Sequence, residues 1–312
     1  MLDGIKINGG LYGMPVGFSL YGLIGNEAMI EKSGVKIDAS NWDWSELASI
    51  AKEISKKSKD NPAGLSLTTL LITGTDELML GNLVKDQYAK FVDVESGKAN
   101  FDSTPFIDLL KEVKHLVDEK VIDPDANGVI FQQTVINSPS TYVQLLKPNL
   151  SSTSGSEYKS KLYLKPNAKD QESGGFFRTF VTMGINEKSD VKEEAWDFVK
   201  FVISDEMREH SSGFPINKAS YKWGVEKVLK KGKVGSGQPS WGPLKDAIYE
   251  ITQQDIDELE KFLTTAKYSV PIEESKVIEI LMEESRAYFS GQKTPEAVAK
   301  LIQNRVTTVI NE

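Results

Sequence analysis

The sequence predicts an α/β fold spread over two domains. Three observations predict it. The length, 312 residues, is about twice that of an ordinary domain. Apolar β-branched runs, "LSLTTLLIT" (65–73) and "GGFFRTFVTMGIN" (174–186), read as strands. Between and after them lie segments whose apolar residues recur at helical spacing.

Taken in order, residues 1–26 read as strand and turn. Tyr12, Met14, Val16 and Phe18 alternate with smaller residues, and Pro15 restricts such a strand to an edge or a crossover. A helix follows over Glu27 to Ser33, stopped by Gly34. In "NWDWSELASIAKEISKKS", Trp44, Leu47, Ile50, Ala51 and Ile54 form a helical face. Asp43 and Glu46 make a capping-box pair at its start. "ELMLGNLV" begins another helix. In "SGKANFDSTPFIDLLKEVKHLVDEKVI", Ser103 or Thr104 caps, Pro105 sits near the first position, and Phe106, Leu109, Leu110, Val113, Leu116 and Val117 share a face. A short helical piece is expected at 140–147, then a Ser/Thr/Gly loop at 151–156. "DVKEEAWDFVKFVISDEMREH" reads as an amphipathic helix with Ala195, Phe198, Val199 and Val202 inward. Residues 244–265 read as mostly helical. The chain closes on a helical hairpin, with Gly291 ending one helix and Thr294–Pro295 starting the next.

Composition narrows the function classes. The chain is 26% charged and 39% hydrophobic, the profile of a globular protein. It has no cysteine, so disulfides, thiolate metal sites and cysteine nucleophiles are excluded. A net charge of −8 argues against nucleic acid, whose binders neutralise phosphates. "KKSKD" (56–60) and "KKGK" (230–233) read as solvated faces. "MLDGIKINGG" contains no export signal.

No metal, cofactor or catalytic group is expected. "DPDANGVIFQQT" (123–134) opens like a calcium loop, but Thr134 stands where a bidentate carboxylate is needed and Pro124 disrupts the turn. His115 lies on the polar side of a helix with no second histidine at ligand spacing. "GKVGSG" (232–237) lacks the ending of a phosphate loop. Glu273–Glu274 and Glu283–Glu284 are adjacent in sequence and therefore diverge on a helix.

The order of the pieces carries a resemblance. "NGGLYGMPVGFSLYGLIGNEAMIEKSGV", followed by "NWDWSELASIAKEI", resembles a stretch of the bacterial extracellular solute-binding proteins of ABC importers. "GGFFRTFVTMGINEKSDVKEEAWDFVKFVISDE" and "SGFPINKAS" are similar to later elements of that family. "EESRAYFSGQKTPEAVAKLIQNRVTTVINE" is similar to the ending of its Gram-positive lipoprotein members. The resemblance implies a periplasmic-binding-protein-like fold of type II: two α/β lobes, joined by a hinge, that close on a ligand. It implies a monomer that binds a small solute, by family default a carbohydrate or oligosaccharide, and hands it to a membrane permease without catalysis. It places the complete protein on the outer face of the cytoplasmic membrane, lipid-anchored.

The family has more of its first lobe before "NGGLYG". At ~30 residues per βα unit, three or four units imply about a hundred residues. The expectation is thus a chain lacking its N-terminal portion. It would divide into a first-lobe remnant (1–17), a second lobe (18–175), a returning part of the first lobe (176–240) and C-terminal helices (241–312) packing on the second lobe. The returning strand and helix would lack partners, leaving apolar surface exposed and the remnant poorly ordered or aggregation-prone.

A sugar site needs aromatic faces and a few hydrogen-bonding groups. By position in the pattern the ligand-binding candidates lie at the crossovers: Tyr12, Phe18, Ser19 and Tyr21 on the first; Phe177 and Arg178, beside Phe176, on the second; Tyr268 on the third. Asn137, Ser138 and Tyr142 fall where the family often places a cleft aromatic. Packing of the hinge is the competing role for each. Trp42, Trp44 and Trp196 read as packing residues. Two other functions stand as alternatives: a glycosidase with two carboxyls facing each other across a cleft, and an interaction module or truncated fragment with no closing cleft.

Overall fold

The structure is a computed structural model. It describes residues 1–7, 9–57, 63–66, 75–93, 96–119, 121, 128–147, 160–210, 212–237, 246–270 and 276–312. In chain order the first elements are β1 (Met14–Asn26), α1 (Glu27–Ser33), α2 (Trp44–Lys57), β2 (Ala63–Ser66), α3 (Thr75–Asp86), α4 (Tyr88–Phe91), β3 (Val92–Asp93) and β4 (Lys98–Ala99). Then come α5 (Thr104–Asp118), β5 (Gly128–Ile136), α6 (Pro139–Leu146), β6 (Ser160–Leu164), β7 (Gly175–Met183) and α7 (Lys192–Val202). The rest are β8 (Phe214–Pro215), α8 (Lys218–Lys231), β9 (Lys233–Gly235), β10 (Ile248–Glu250), α9 (Gln253–Thr264), β11 (Ala266–Ser269), α10 (Lys276–Phe289) and α11 (Pro295–Ile310). The expected α/β class holds.

The local signals explain most of these boundaries. Asn26 accepts from the Met29 N–H at 3.2 Å and so caps α1. Gly34 and Gly291, which end α1 and α10, have φ of +69° and +75°, a conformation glycine adopts without strain. Asp43 Oδ1 accepts from the Glu46 N–H at 2.8 Å. Glu46 Oε2 accepts in turn from the Asp43 N–H at 3.1 Å, completing the capping box. Thr294 accepts from the Ala297 N–H at 3.2 Å to start α11.

Three expectations need adjustment. Ser103 is the N-cap residue of α5, but its side chain makes no capping bond; its hydroxyl donates to Asn100 O at 2.9 Å instead. Residues 248–250, expected in a helix, form β10, and α9 starts at Gln253. In α7 only Val199 is buried, and Phe198, expected inward, is 62% exposed. The predicted strand over 65–73 is seen as β2, while 67–73 lie outside the described residues, as do the loop at 151–156 and residues 123–127 of the calcium-loop mimic.

The chain forms two compact units. Unit 1 comprises 1–31, 133–165 and 173–269. Its sheet is built on β1, a 13-residue strand. Residues 14–21 of β1 pair antiparallel with β7, and residues 22–26 with β6. Pro15, one position into β1, lies opposite Thr182, where its missing N–H falls at the strand's start. On the outer side of β7 lies β11, in parallel, and β8 adds a short antiparallel pairing to β1. One face of this sheet packs into a core of Leu20, Phe177, Phe214, Val225, Ile256, Leu259 and Phe262.

Unit 2 comprises 32–132, 166–172 and 270–312. Here β2 pairs parallel with β5, α10 packs on α3 and α11 on α5. Phe91, Phe101 and Phe106 form an aromatic centre, with Phe101 and Phe106 edge to face at 4.9 Å. Gln303 of α11 clasps the loop before α5: its Oε1 accepts from the Phe101 N–H at 2.6 Å and its Nε2 donates to Ala99 O at 3.0 Å.

Phe106 is fully buried, and its loss leaves a cavity that neighbouring rings cannot fill. Phe106→Ala is expected to cost about 3–5 kcal/mol in urea denaturation. Phe198→Ala, on an exposed helix face, should change stability by less than about 0.5 kcal/mol.

Candidate functional site

The pairing of β1, β7 and β11 sorts the candidate residues. Ser19 lies opposite Arg178 and Tyr21 opposite Phe176. Tyr268 lies opposite Phe176 on the other side. Directly opposed residues share a face, and alternate residues along a strand do too. Ser19, Tyr21, Phe176, Arg178, Phe180 and Tyr268 are therefore on one face of the three strands. Phe18, Leu20, Phe177 and Phe214 are on the other. Phe177 is fully buried there, and Phe18 packs against it and against Phe214 with ring centroids at 6.4 and 5.6 Å. These two candidates face the core.

The first face combines rings with cations. Phe176 and Tyr268 have centroids 5.5 Å apart. The Lys165 ammonium, at the end of β6, lies 5.1 Å from the Phe176 ring and 5.8 Å from that of Tyr21. The Arg178 guanidinium lies 5.1 Å over Phe180. Such placements attract a cation to the negative ring face and fix its orientation. Tyr21, Arg178, Phe180 and Tyr268 are half-buried, while Phe176 and Ser19 are buried beneath them. Among the described residues, Ser19 Oγ has no hydrogen-bond partner. The chemistry available is thus stacking on flat rings, hydrogen bonds donated by a guanidinium, and one buried hydroxyl.

The remaining candidates have local structural roles. Asn137 Oδ1 accepts from the Thr141 hydroxyl at 2.7 Å, and Ser138 Oγ accepts from the Thr141 N–H at 3.0 Å. Both bonds fasten the first turn of α6. Tyr142 is buried in the core of unit 1, where its hydroxyl donates to Glu258 Oε2 at 3.2 Å. Burial, and then the Glu258 charge, push that hydroxyl's pKa upward, so it remains a donor. Tyr12 is 71% exposed. Lys165 and Phe180 were missed by sequence reasoning. Lys165, only 2% exposed, sits in "LKPNAKD", where a lone lysine reads as solvated. Phe180 is recognisable only once the register is known.

Unit 2 has a separate concavity of about 290 Å³ lined by Trp44, Phe91, Asp108, Leu109, Glu112 and Lys169 among others. Burial, and then the nearby Asp43 charge, raise the Glu112 pKa. Its apolar floor consists of core side chains, and its rim carries charges of both signs. Among the described residues, no group of three or more His, Cys, Asp or Glu side chains could hold a metal ion.

Residues 1–209 match the model of a family described as bacterial extracellular solute-binding protein. The chain belongs to this family. Its fold is similar to that of several solved binding proteins. An oligogalacturonide-binding protein from Yersinia enterocolitica superposes with a TM-score of 0.63 at 16% identity, covering 99% of this chain and 75% of that one. A cyclic alpha-maltosyl-1,6-maltose binding protein from Arthrobacter globiformis gives 0.60 at 14% identity, covering 99% and 74%. Maltose-bound MalE3 of T. maritima gives 0.56 at 20% identity, covering 98% and 75%. Among the described residues of this solute-binding protein, no helix is long and apolar enough to cross a membrane.

The placement of Tyr142 makes a distinction testable. Tyr142→Phe should cost about 0.5–1.5 kcal/mol in thermal unfolding, the worth of one hydrogen bond, because the exposed side of Glu258 retains water. Solute affinity of the variant should equal that of the parent by calorimetric titration. A loss of affinity without loss of stability would place Tyr142 at the solute.

Proposed function

We propose that this chain is the substrate-binding component of an ABC importer and that its solute is a carbohydrate. The observation that carries the reading is the single face holding Tyr21, Phe176, Tyr268 and Arg178. Pyranose rings present apolar C–H faces that stack on aromatic rings, and their hydroxyls take hydrogen bonds from a planar donor fork. Tyr21 and Tyr268 supply the stacking surfaces on the two flanks of β7. Arg178 supplies donors, pre-oriented by Phe180, and Ser19 supplies a hydroxyl. That family relatives of the same fold bind maltose and oligogalacturonide supports this class of solute.

The same reading assigns a membrane permease as partner, a location outside the cytoplasmic membrane and, in the lipoprotein form of the family, a lipid anchor. Binding requires no bond to be broken. A glycosidase would need two carboxyls across the sugar, and the face just described presents none among these positions.

A thermal unfolding scan with maltose, maltotetraose and trigalacturonate tests this. A solute that binds only the native state at about 100 times its Kd adds roughly 2.7 kcal/mol of stability, a rise of several degrees. The shift should shrink in Arg178→Gln, whose affinity is expected to fall about tenfold, equivalent to about 1.4 kcal/mol. No response to any of the three sugars by the parent protein would sink the carbohydrate reading.

A further inference from the structure

The concavity of unit 2 is built entirely from residues of that unit. No residue of the solute-binding face takes part in it. One stripe of α5 lines it with Asp108, Leu109 and Glu112, which lie one turn apart on one side of the helix. The flank of α3 and α4 adds Leu83, Lys90 and Phe91, and segment 167–170 adds Lys169. Leu83, Phe91, Leu109 and Trp44 are buried and make the floor apolar. The volume of about 290 Å³ matches roughly ten waters at ~30 Å³ each, or one small ligand of about ten non-hydrogen atoms.

The charges around this space are held apart. Among the described residues, the side chains of Lys90, Asp108, Glu112 and Lys169 make no hydrogen bond and no ion pair. Elsewhere on α5 the charges do pair: Lys111 with Glu296 at 3.5 Å and Lys114 with Asp118 at 3.2 Å. For the exposed Lys90, Asp108 and Lys169, pairing would be worth little. Glu112 differs, because it is half-buried and a charge withdrawn from water needs a partner. Burial and the Asp43 charge push its carboxyl pKa upward, and Lys169 offsets this only in part. Its end of the concavity is therefore short of positive charge.

We propose that this concavity binds a free α-amino acid with a small apolar side chain. The ammonium lies against Glu112, the carboxylate against Lys169, and the side chain on the floor of Trp44 and Leu109. The two signs of charge select this class. A simple anion would meet Glu112 and Asp108, and a simple cation would meet Lys169 and Lys90. A neutral solute would leave both signs without a counter-charge. A ligand with an ammonium and a carboxylate on one carbon satisfies both walls and leaves its side chain for the floor.

Calorimetric titration of the full chain with L-alanine, L-valine, L-leucine and L-methionine tests it. At least one is expected to bind with a Kd of about 1 mM or tighter. The amine and the acid that correspond to it, each with only one of its charges, should bind at least tenfold more weakly. Glu112→Gln and Lys169→Gln should each weaken binding about tenfold, and Lys111→Gln should not. Glu112→Gln removes a charge that has no partner in the fold, so the ligand-free melting temperature should hold or rise. The proposal is overturned if none of the four amino acids reaches a Kd of about 1 mM. It is also overturned if the amine or the acid binds within tenfold of its parent, or if Glu112→Gln and Lys169→Gln leave the affinity unchanged.

Discussion

The backbone pairing that runs from Met14 opposite Met183 to Tyr21 opposite Phe176 holds β1 on β7, and the site follows from its register. Side chains on a strand alternate with period two. A slip of one residue would carry Phe177 and Leu20 out of the core and bury Arg178 and Tyr21 in their place. The cost of such a slip is the loss of the apolar cluster around Phe177, Phe214 and Leu259. The same core that stabilises unit 1 therefore dictates which residues are left on the opposite face. Lys165 and Tyr268 are added to that face by β6 and β11, which use the remaining pairing positions of β1 and β7.

Helix boundaries were legible where a cap, a stop and a period agreed. Asp43 with Glu46, Gly291 and Thr294 each make a bond with a backbone group at a helix end, Gly34 takes the left-handed turn after α1, and each falls at the end the sequence implied. The crossover strands were less legible. In "GFSLYG" and "GFFRTF" large side chains stand at adjacent positions, Leu20 beside Tyr21 and Phe177 beside Phe176 and Arg178, so alternation does not reveal which residues point where. Hence Phe18 and Phe177 were grouped with Tyr21 and Arg178 although the sheet separates them. Tyr142 and Ser138 were candidates because of their place in a family pattern. A buried hydroxyl donating to Glu258, and an N-cap, use the same residue types as a sugar site would. Sequence alone does not tell an intramolecular hydrogen bond from one offered to a solute.

Two expectations for α7 came from the sequence, a helix short of partners with apolar surface exposed and Phe198 turned inward; Phe198 is 62% exposed. An amphipathic pattern states which side of a helix is apolar, not how much of that side the rest of the chain will cover. The reading placed Phe198 inward because it lies one position from Val199 on a continuous apolar arc. Coverage depends on tertiary neighbours, and in this unit they reach only the part of the arc nearest Val199.

The grip of α11 on the loop before α5 bears on how the chain is made. Gln303 and Phe101 are separated by 202 positions. Asn311 Nδ2 likewise donates to Gly97 O at 2.9 Å across a separation of 214. Synthesis proceeds at about 5–20 residues per second, so the loop waits roughly 10–40 seconds for the helix that closes over it. During that interval the backbone from Gly97 to Phe101 lacks the bonds that Gln303 and Asn311 make to it, and unit 2 cannot reach its final form. Its folding is thus tied to the synthesis of α11. Helix α11 acts as a latch that can close on this loop only 202 positions after Phe101 has been made.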